Sequence, residues 1–330
     1  MDETRTGDAA GSGPASGAAG RERDVVAQAL EELRAGIRDR SRRSGGPASP
    51  GEWTRFFQTL RRRLGPLGMS ERTAKVDAFG MDRDAVQRAV PMLDFLADRY
   101  WRIEIRGTEN LPARSPYVLV TNAGGPVPYD GLMLAHAVSR IRPGAERPHF
   151  LVADWLVGTP FAQPLVTRLG GVRACHDNAR RLLRGDHPVI AFPEGFRGSV
   201  KTFPDRYRLA PFGVESGIRA GLEAGTALVP VGIVGAEEAH PILAKDAVSG
   251  RALGLPFVPI TPTFPMLGLL GLLPLPSKWV ISIGEPLAVA APGASGRAAD
   301  SRVATVTADL REQVQALVDS GLASRESVWG

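Results

Sequence analysis

The stretch Val189-Ile190-Ala191-Phe192-Pro193-Glu194-Gly195 constrains the fold more than any other part of the chain. Its short apolar run reads as a buried strand. Proline fixes φ and lacks an N–H, so the strand must end at Pro193. Glycine permits a sharp turn and lets backbone amides approach a ligand. Glu194 is then a carboxylate at the end of a buried strand, where open α/β sheets build their sites. A basic segment follows, with Arg197, Lys201, Arg206 and Arg208 interleaved with Phe196, Phe203 and Tyr207. The same residues also fit a strand-ending turn that leads into a solvated basic loop.

From Trp101 onward the chain alternates between strand-like and helix-like segments. Trp101–Arg106, Tyr117–Thr121, Phe150–Ala153, Val189–Phe192, Ala227–Val234 and Trp279–Ile283 read as strands. Gly131–Val138, Pro160–Leu169, Asp177–Leu183, Phe212–Glu223 and Ser301–Val318 read as helices. That order predicts an α/β fold with a largely parallel central sheet flanked by helices. Asp84–Tyr100 reads as a preceding helix, started or interrupted at Pro91.

The N-terminal part has a different character. Residues 1–20 are Gly/Ala/Ser-rich and nearly devoid of large apolar side chains, so they are expected to be disordered. Asp24–Arg40 places Val25, Val26, Ala29, Leu30, Leu33 and Ile37 at helical spacing. Glu52–Leu64 does the same with Trp53, Phe56, Phe57 and Leu60 against Arg61, Arg62 and Arg63. Such helices either pack on a core or lie on anionic lipid. The expected organisation is a tail over 1–20, a helical region over 21–92, an α/β domain over 93–290, and a C-terminal helix and tail over 291–330.

Ala252–Ser277 carries no charged residue and is long enough to span a bilayer. Pro256, Pro259, Pro262, Pro265, Pro274 and Pro276 interrupt it. A lipid-exposed helix cannot leave so many backbone groups unsatisfied, which rules against a membrane span. A Pro-rich loop remains, packed on the sheet or dipped into a membrane surface, with Met266–Leu273 as its apolar contact. The formal net charge of +5 favours anionic partners. The single cysteine, Cys175, excludes an internal disulfide and a cysteine metal cluster.

Four segments occur in an order that resembles the glycerolipid (lysophospholipid) acyltransferase superfamily. They are Thr121–Asp130, Gly170-Gly171-Val172-Arg173, Phe192-Pro193-Glu194-Gly195 and Leu228–Gly235. The resemblance covers roughly Leu93–Glu285 and implies a glycerol-3-phosphate acyltransferase-like fold with an N-terminal helical extension. It implies acyl transfer from acyl-CoA or acyl-carrier protein, without a further cofactor or metal, to a lysophospholipid or glycerol-phosphate hydroxyl. By the same resemblance Asp130 is the catalytic carboxylate that orients a base. Asn122, Arg173, Phe192, Pro193, Glu194, Gly195 and Arg197 contact substrate, with Arg173 on phosphate because its fork matches phosphate oxygens. The expected location is cytoplasmic, peripheral on the inner face of the membrane, with no nucleic-acid partner.

The family pattern places the base histidine at Gly125 or, in a longer loop, at Ala123; neither is histidine. Loss of a positioned base costs roughly 10²–10⁴ in rate. His176, close after Arg173, is the candidate surrogate. The alternative is an inactive member that binds lipid or acyl-CoA in a regulatory or scaffold role.

Overall fold

The computed structural model describes residues 76–157, 163–213, 217–252, 257–264, 266, 273–287, 289 and 297–328. The two helices expected before residue 76, the 1–20 tail and, within Ala252–Ser277, residues 253–256, 265 and 267–272 lie outside these residues. In chain order the described elements begin with helix α1 (Arg83–Phe95), strand β1 (Glu104–Arg106), β2 (Tyr117–Thr121) and α2 (Tyr129–Ile141). Next come β3 (His149–Val152), α3 (Asp154–Val157), α4 (Gln163–Arg168), β4 (Gly171–Arg173) and α5 (His176–Arg184). Then follow β5 (Val189–Ala191), α6 (Gly195–Ser199), α7 (Gly217–Ala224), β6 (Ala227–Val234) and α8 (Ala236–Ala239). The chain ends with β7 (Ala244–Asp246), α9 (Ala247–Ala252), β8 (Val258–Ile260), β9 (Val280–Ile283) and α10 (Arg297–Ser324).

Seven strands form one sheet in the order β1-β9-β6-β2-β5-β3-β4. β6, β2, β5, β3 and β4 are mutually parallel, while β9 runs antiparallel to β6 and carries β1 parallel to itself. The predicted α/β class with a largely parallel sheet is therefore the observed one. β2 and β6 are buried along nearly their whole length, as central strands covered on both faces must be. Pro230 sits in β6 without breaking it. Its register position is just past the last β6–β9 pair, Val231 with Ile283, and its carbonyl accepts from Gly284 N at 2.8 Å.

Alternation along β2 divides the core into two layers. Leu119 faces Leu93 of α1, Met133 and Leu134 of α2, and Ile190 and Val229 of neighbouring strands. Val118 and Val120 face Leu182 of α5, Ile218 of α7 and Leu310 of α10. The C-terminal helix is longer than the predicted Ser301–Val318 and closes the second layer over β6 and β9, with Val314 and Val318 against Val234 and Val280.

Several element boundaries differ from the sequence reading. Pro91 neither starts nor ends α1, which runs through it from an Asp82 cap that accepts from Asp84 N at 3.0 Å and Ala85 N at 3.1 Å. Burial of Ala89 and Leu93 against the sheet outweighs the lost helical hydrogen bond. β1 is shorter than Trp101–Arg106 because Trp101 caps the helical turn Leu96–Tyr100 with helical backbone angles and Arg102 adopts φ +47°; the Trp101 ring stacks on Trp279 with centroids 4.5 Å apart. β4 and α3 were not anticipated; both are too short to carry a periodic signal.

Candidate functional site

Because β2 and β5 are parallel neighbours, the loops that follow them leave the sheet at the same rim. These are the first-motif loop (Asn122–Asp130) and the turn Phe192–Gly195. Between them, and below the end of β3, opens a cleft of about 470 Å³. Ala123, Gly125 and Asp130 form one wall, Phe192, Pro193, Gly195 and Phe196 another, and Val152, Asp154 and Cys175 a third.

Asn122 is fully buried and does not reach the cleft. Its side-chain amide donates to Ile233 O at 2.9 Å and accepts from Ile233 N at 2.8 Å, so it ties the end of β2 to β6. Asp130 opens α2 with 4% of its surface exposed. Its two oxygens accept from Gly124 N at 2.6 Å and Gly131 N at 2.7 Å. Burial pushes the carboxyl up to about 6; the amide donors oppose that rise, and the nearby Glu194 adds to it.

Glu194 is placed differently from the expected acceptor-site wall. Phe192, Pro193 and Gly195 line the cleft, but the Glu194 side chain turns inward and is completely buried. One oxygen accepts from Ala123 N at 2.9 Å; the other accepts from Ala210 N at 2.7 Å and lies 3.2 Å from Lys201 Nζ. Glycine makes this turn possible. Gly195 adopts φ +58°, and a Cβ on Gly198 would lie 2.4 Å from Glu194 Cβ. Lys201, for which a solvated basic loop is one of the readings open from sequence, is instead a largely buried cation. It also contacts Glu237 at 2.9 Å, and Glu237 accepts from Tyr207 N at 3.1 Å. Burial pushes Glu237 up to about 7 despite Lys201.

Arg173 ends β4 with an exposed side chain that grips Asp154 through two hydrogen bonds of 2.7 Å each. Asp154 belongs to the cleft wall and Arg173 does not, so the pair stands at the cleft's edge. Arg197 is exposed on α6 and does not line the cleft either. His176 points to α7, with Nε2 3.1 Å from Glu223, because helix α5 packs against α7 rather than over the cleft.

The cleft residues Cys175 and Phe196, and the Lys201–Glu237 pair, were not identified from sequence as site residues. A cysteine two positions after Arg173 carries no pattern of its own. Glu237 lies in a segment whose burial becomes evident only once β6 is placed beside β2.

Residues 102–234 match the family model for Acyltransferase. An uncharacterized protein of Mycobacterium leprae is 38% identical over 259 residues, covering 77% of this chain and 70% of that protein. An uncharacterized protein of Mycobacterium tuberculosis H37Rv is 36% identical over 258 residues, covering 77% and 71%. The crystal structure of PlsC, the 1-acyl-sn-glycerophosphate acyltransferase from Thermotoga maritima, aligns with a TM-score of 0.47 and 18% identity, over 82% of this chain and 94% of that one. The matched region takes in the Asn122–Asp130 loop, Arg173 and the Phe192–Gly195 turn, and through it the chain belongs to the acyltransferase family.

Proposed function

We propose that the protein transfers an acyl group from an acyl thioester, acyl-CoA or acyl-carrier protein, to a hydroxyl of a lysophospholipid or glycerol phosphate. The observation that carries this reading is the cleft itself, where Asp130 and the Phe192–Gly195 turn meet. Its volume lies within the roughly 300–1,000 Å³ range of small-molecule sites. Its walls combine apolar side chains with a buried carboxylate, which suits an acyl chain ending at a polar reacting centre. Arg173 at the edge is the side chain chosen for the acceptor's phosphate.

A second reading has its own support. Ala123 occupies a cleft position where the family pattern can carry the base, and a chain without that base can bind acyl-CoA or lysolipid without turning it over. Thiol release from acyl-CoA with lysophosphatidic acid, lysophosphatidylcholine or glycerol 3-phosphate separates the two. Acceptor-dependent release supports transfer; saturable binding of acyl-CoA without release supports the scaffold reading.

The place of action in this proposal is an anionic membrane surface on the cytoplasmic side. Among the described residues no helix is long and apolar enough to cross a membrane. The net charge of +5 favours a surface of opposite sign. Sedimentation with anionic vesicles at low and high salt tests this, and salt-sensitive binding is the expected result.

A further inference from the structure

We propose that Asp130, an orienting residue by family pattern, is itself the general base in this protein. The inference rests on the acyl-transfer reading above. It begins by elimination. The chain has five histidines, and none lines the cleft. His136 lies 3.0 Å from Asp94, His149 lies 3.1 Å from Asp77, and His187 lies 3.4 Å from Glu146. His176 is held beside Glu223. His240 is buried and stacks on Tyr129 with centroids 5.5 Å apart; it lines not the cleft but an adjoining cavity of only about 10 Å³, which shares Gly125 and Ser199 with it.

The titratable groups that line the cleft, among the described residues, are Asp130, Asp154 and Cys175. Asp154 is committed to Arg173, whose two hydrogen bonds hold its carboxyl below the usual range. Cys175 is exposed at the cleft rather than buried in its wall. Asp130 differs from both. It is buried, fixed at the start of α2 by two amide donors, and still lines the cleft. An ionised carboxylate offers about four acceptor sites, so roughly two remain for a hydroxyl. Burial and the neighbouring Glu194, itself beside Lys201, raise its proton affinity towards the value that suits a base near neutral pH.

The step balances as follows. Asp130 takes the proton of the acceptor hydroxyl as its oxygen attacks the thioester carbonyl carbon. The C–O bond forms, the C–S bond breaks, and the departing thiolate takes the proton back from Asp130. The products are an ester and a free thiol.

The test uses the full chain with palmitoyl-CoA and lysophosphatidic acid, and follows thiol release between about pH 5 and 8. Palmitoyl-CoA binding is measured in parallel. Asp130→Asn should lower kcat at least roughly 100-fold while leaving palmitoyl-CoA affinity within about threefold. Wild-type kcat should fall about tenfold per pH unit below about pH 6. Should Asp130→Asn not fold, the wild-type acidic limb alone decides. Asp130→Asn activity within about threefold of wild type, or a flat wild-type profile, overturns the assignment. Wild type that binds palmitoyl-CoA but releases no thiol overturns it too, and leaves the cleft as a thioester-binding site. Absence of binding removes the acyl-transfer reading as well.

Discussion

The carboxylate of Glu194 accepts the backbone N–H of Ala123 at 2.9 Å, joining the third-motif turn to the first-motif loop. Its other oxygen accepts Ala210 N, and Lys201 stands beside it. This side chain holds the walls of the cleft in register rather than facing the cleft. Glu194→Ala would orphan two amide donors and remove one of the two carboxylates around Lys201. Breaking a buried, hydrogen-bonded pair by removing one partner costs roughly 3–5 kcal/mol. For a domain of this size that corresponds to a fall in Tm of the order of 10 °C. Thermal denaturation of Glu194→Ala and Glu194→Gln measures it, and the glutamine, which keeps one acceptor, should lose less.

Two buried carboxyls give the protein a signed dependence on pH. Burial raises Glu237 to about 7 and Asp130 to about 6, both above their unfolded values. Each binds its proton more tightly in the folded state. Their contribution to stability is therefore full below about pH 4 and is lost as pH rises through about 6 to 7. Asp77 has the opposite sign. Burial would raise it, but His149 and the amides of Met81 and Phe79 hold it at about 2. Its contribution is present above about pH 4 and disappears only as pH falls through about 2. Glu237→Gln should accordingly flatten the decline of Tm between about pH 5 and 8, measured by thermal scans across that range. A slope equal to that of wild type would mean that Glu237 does not titrate there.

Arg173 and Asp154 form a competition that can be measured. The guanidinium is exposed and already satisfied by Asp154. A phosphate-bearing ligand must displace that carboxylate or share the fork with it. Arg173→Ala should weaken binding of lysophosphatidic acid, and Asp154→Asn should strengthen it by releasing the fork; each change is of the order of several-fold. Isothermal titration with the two variants decides the matter. Equal affinity in wild type and Arg173→Ala would remove Arg173 from the phosphate site.

The central strands were legible because burial on both faces forces continuous apolar runs. Ala227–Val234 falls where the sequence put it, and Tyr117–Thr121 does too. The rim was legible for the same reason: two such strands, each ended by a loop of Gly and Pro, place their loops together once they pair in parallel. Side-chain direction was not legible. Glu194 follows Pro193 as any solvent-facing turn residue might, and only the register of β2 on β5 brings the Ala123 amide beneath it. Lys201 illustrates the same limit. Its charge reads as surface, yet two buried glutamates, Glu194 from the preceding turn and Glu237 from beyond β6, surround it. The direction of His176 depended on the packing of α5 on α7, a contact between helices that no local pattern encodes.

Ala123 carries the most direct prediction about chemistry. It is 1% exposed, follows Asn122 at the end of β2, and shares the cleft wall with Asp130. Its amide is fixed by Glu194, so a longer side chain at this position would start from a held backbone. A histidine there would place an imidazole in the same cleft as a buried carboxylate, the base-and-orienter pairing of acyl-transfer enzymes. Asp130 would then change role, holding the imidazole and stabilising its protonated form. Imidazole, with an ordinary pKa near 6.5, is well matched to proton transfer at neutral pH. Ala123→His should therefore raise thiol release from palmitoyl-CoA at least roughly tenfold over wild type. Adding Asp130→Asn to that variant should cancel most of the gain, because the imidazole would lose its orienter. Ala123→His with no gain, in a protein whose Tm and palmitoyl-CoA binding match wild type, would mean that position 123 does not address the reacting hydroxyl.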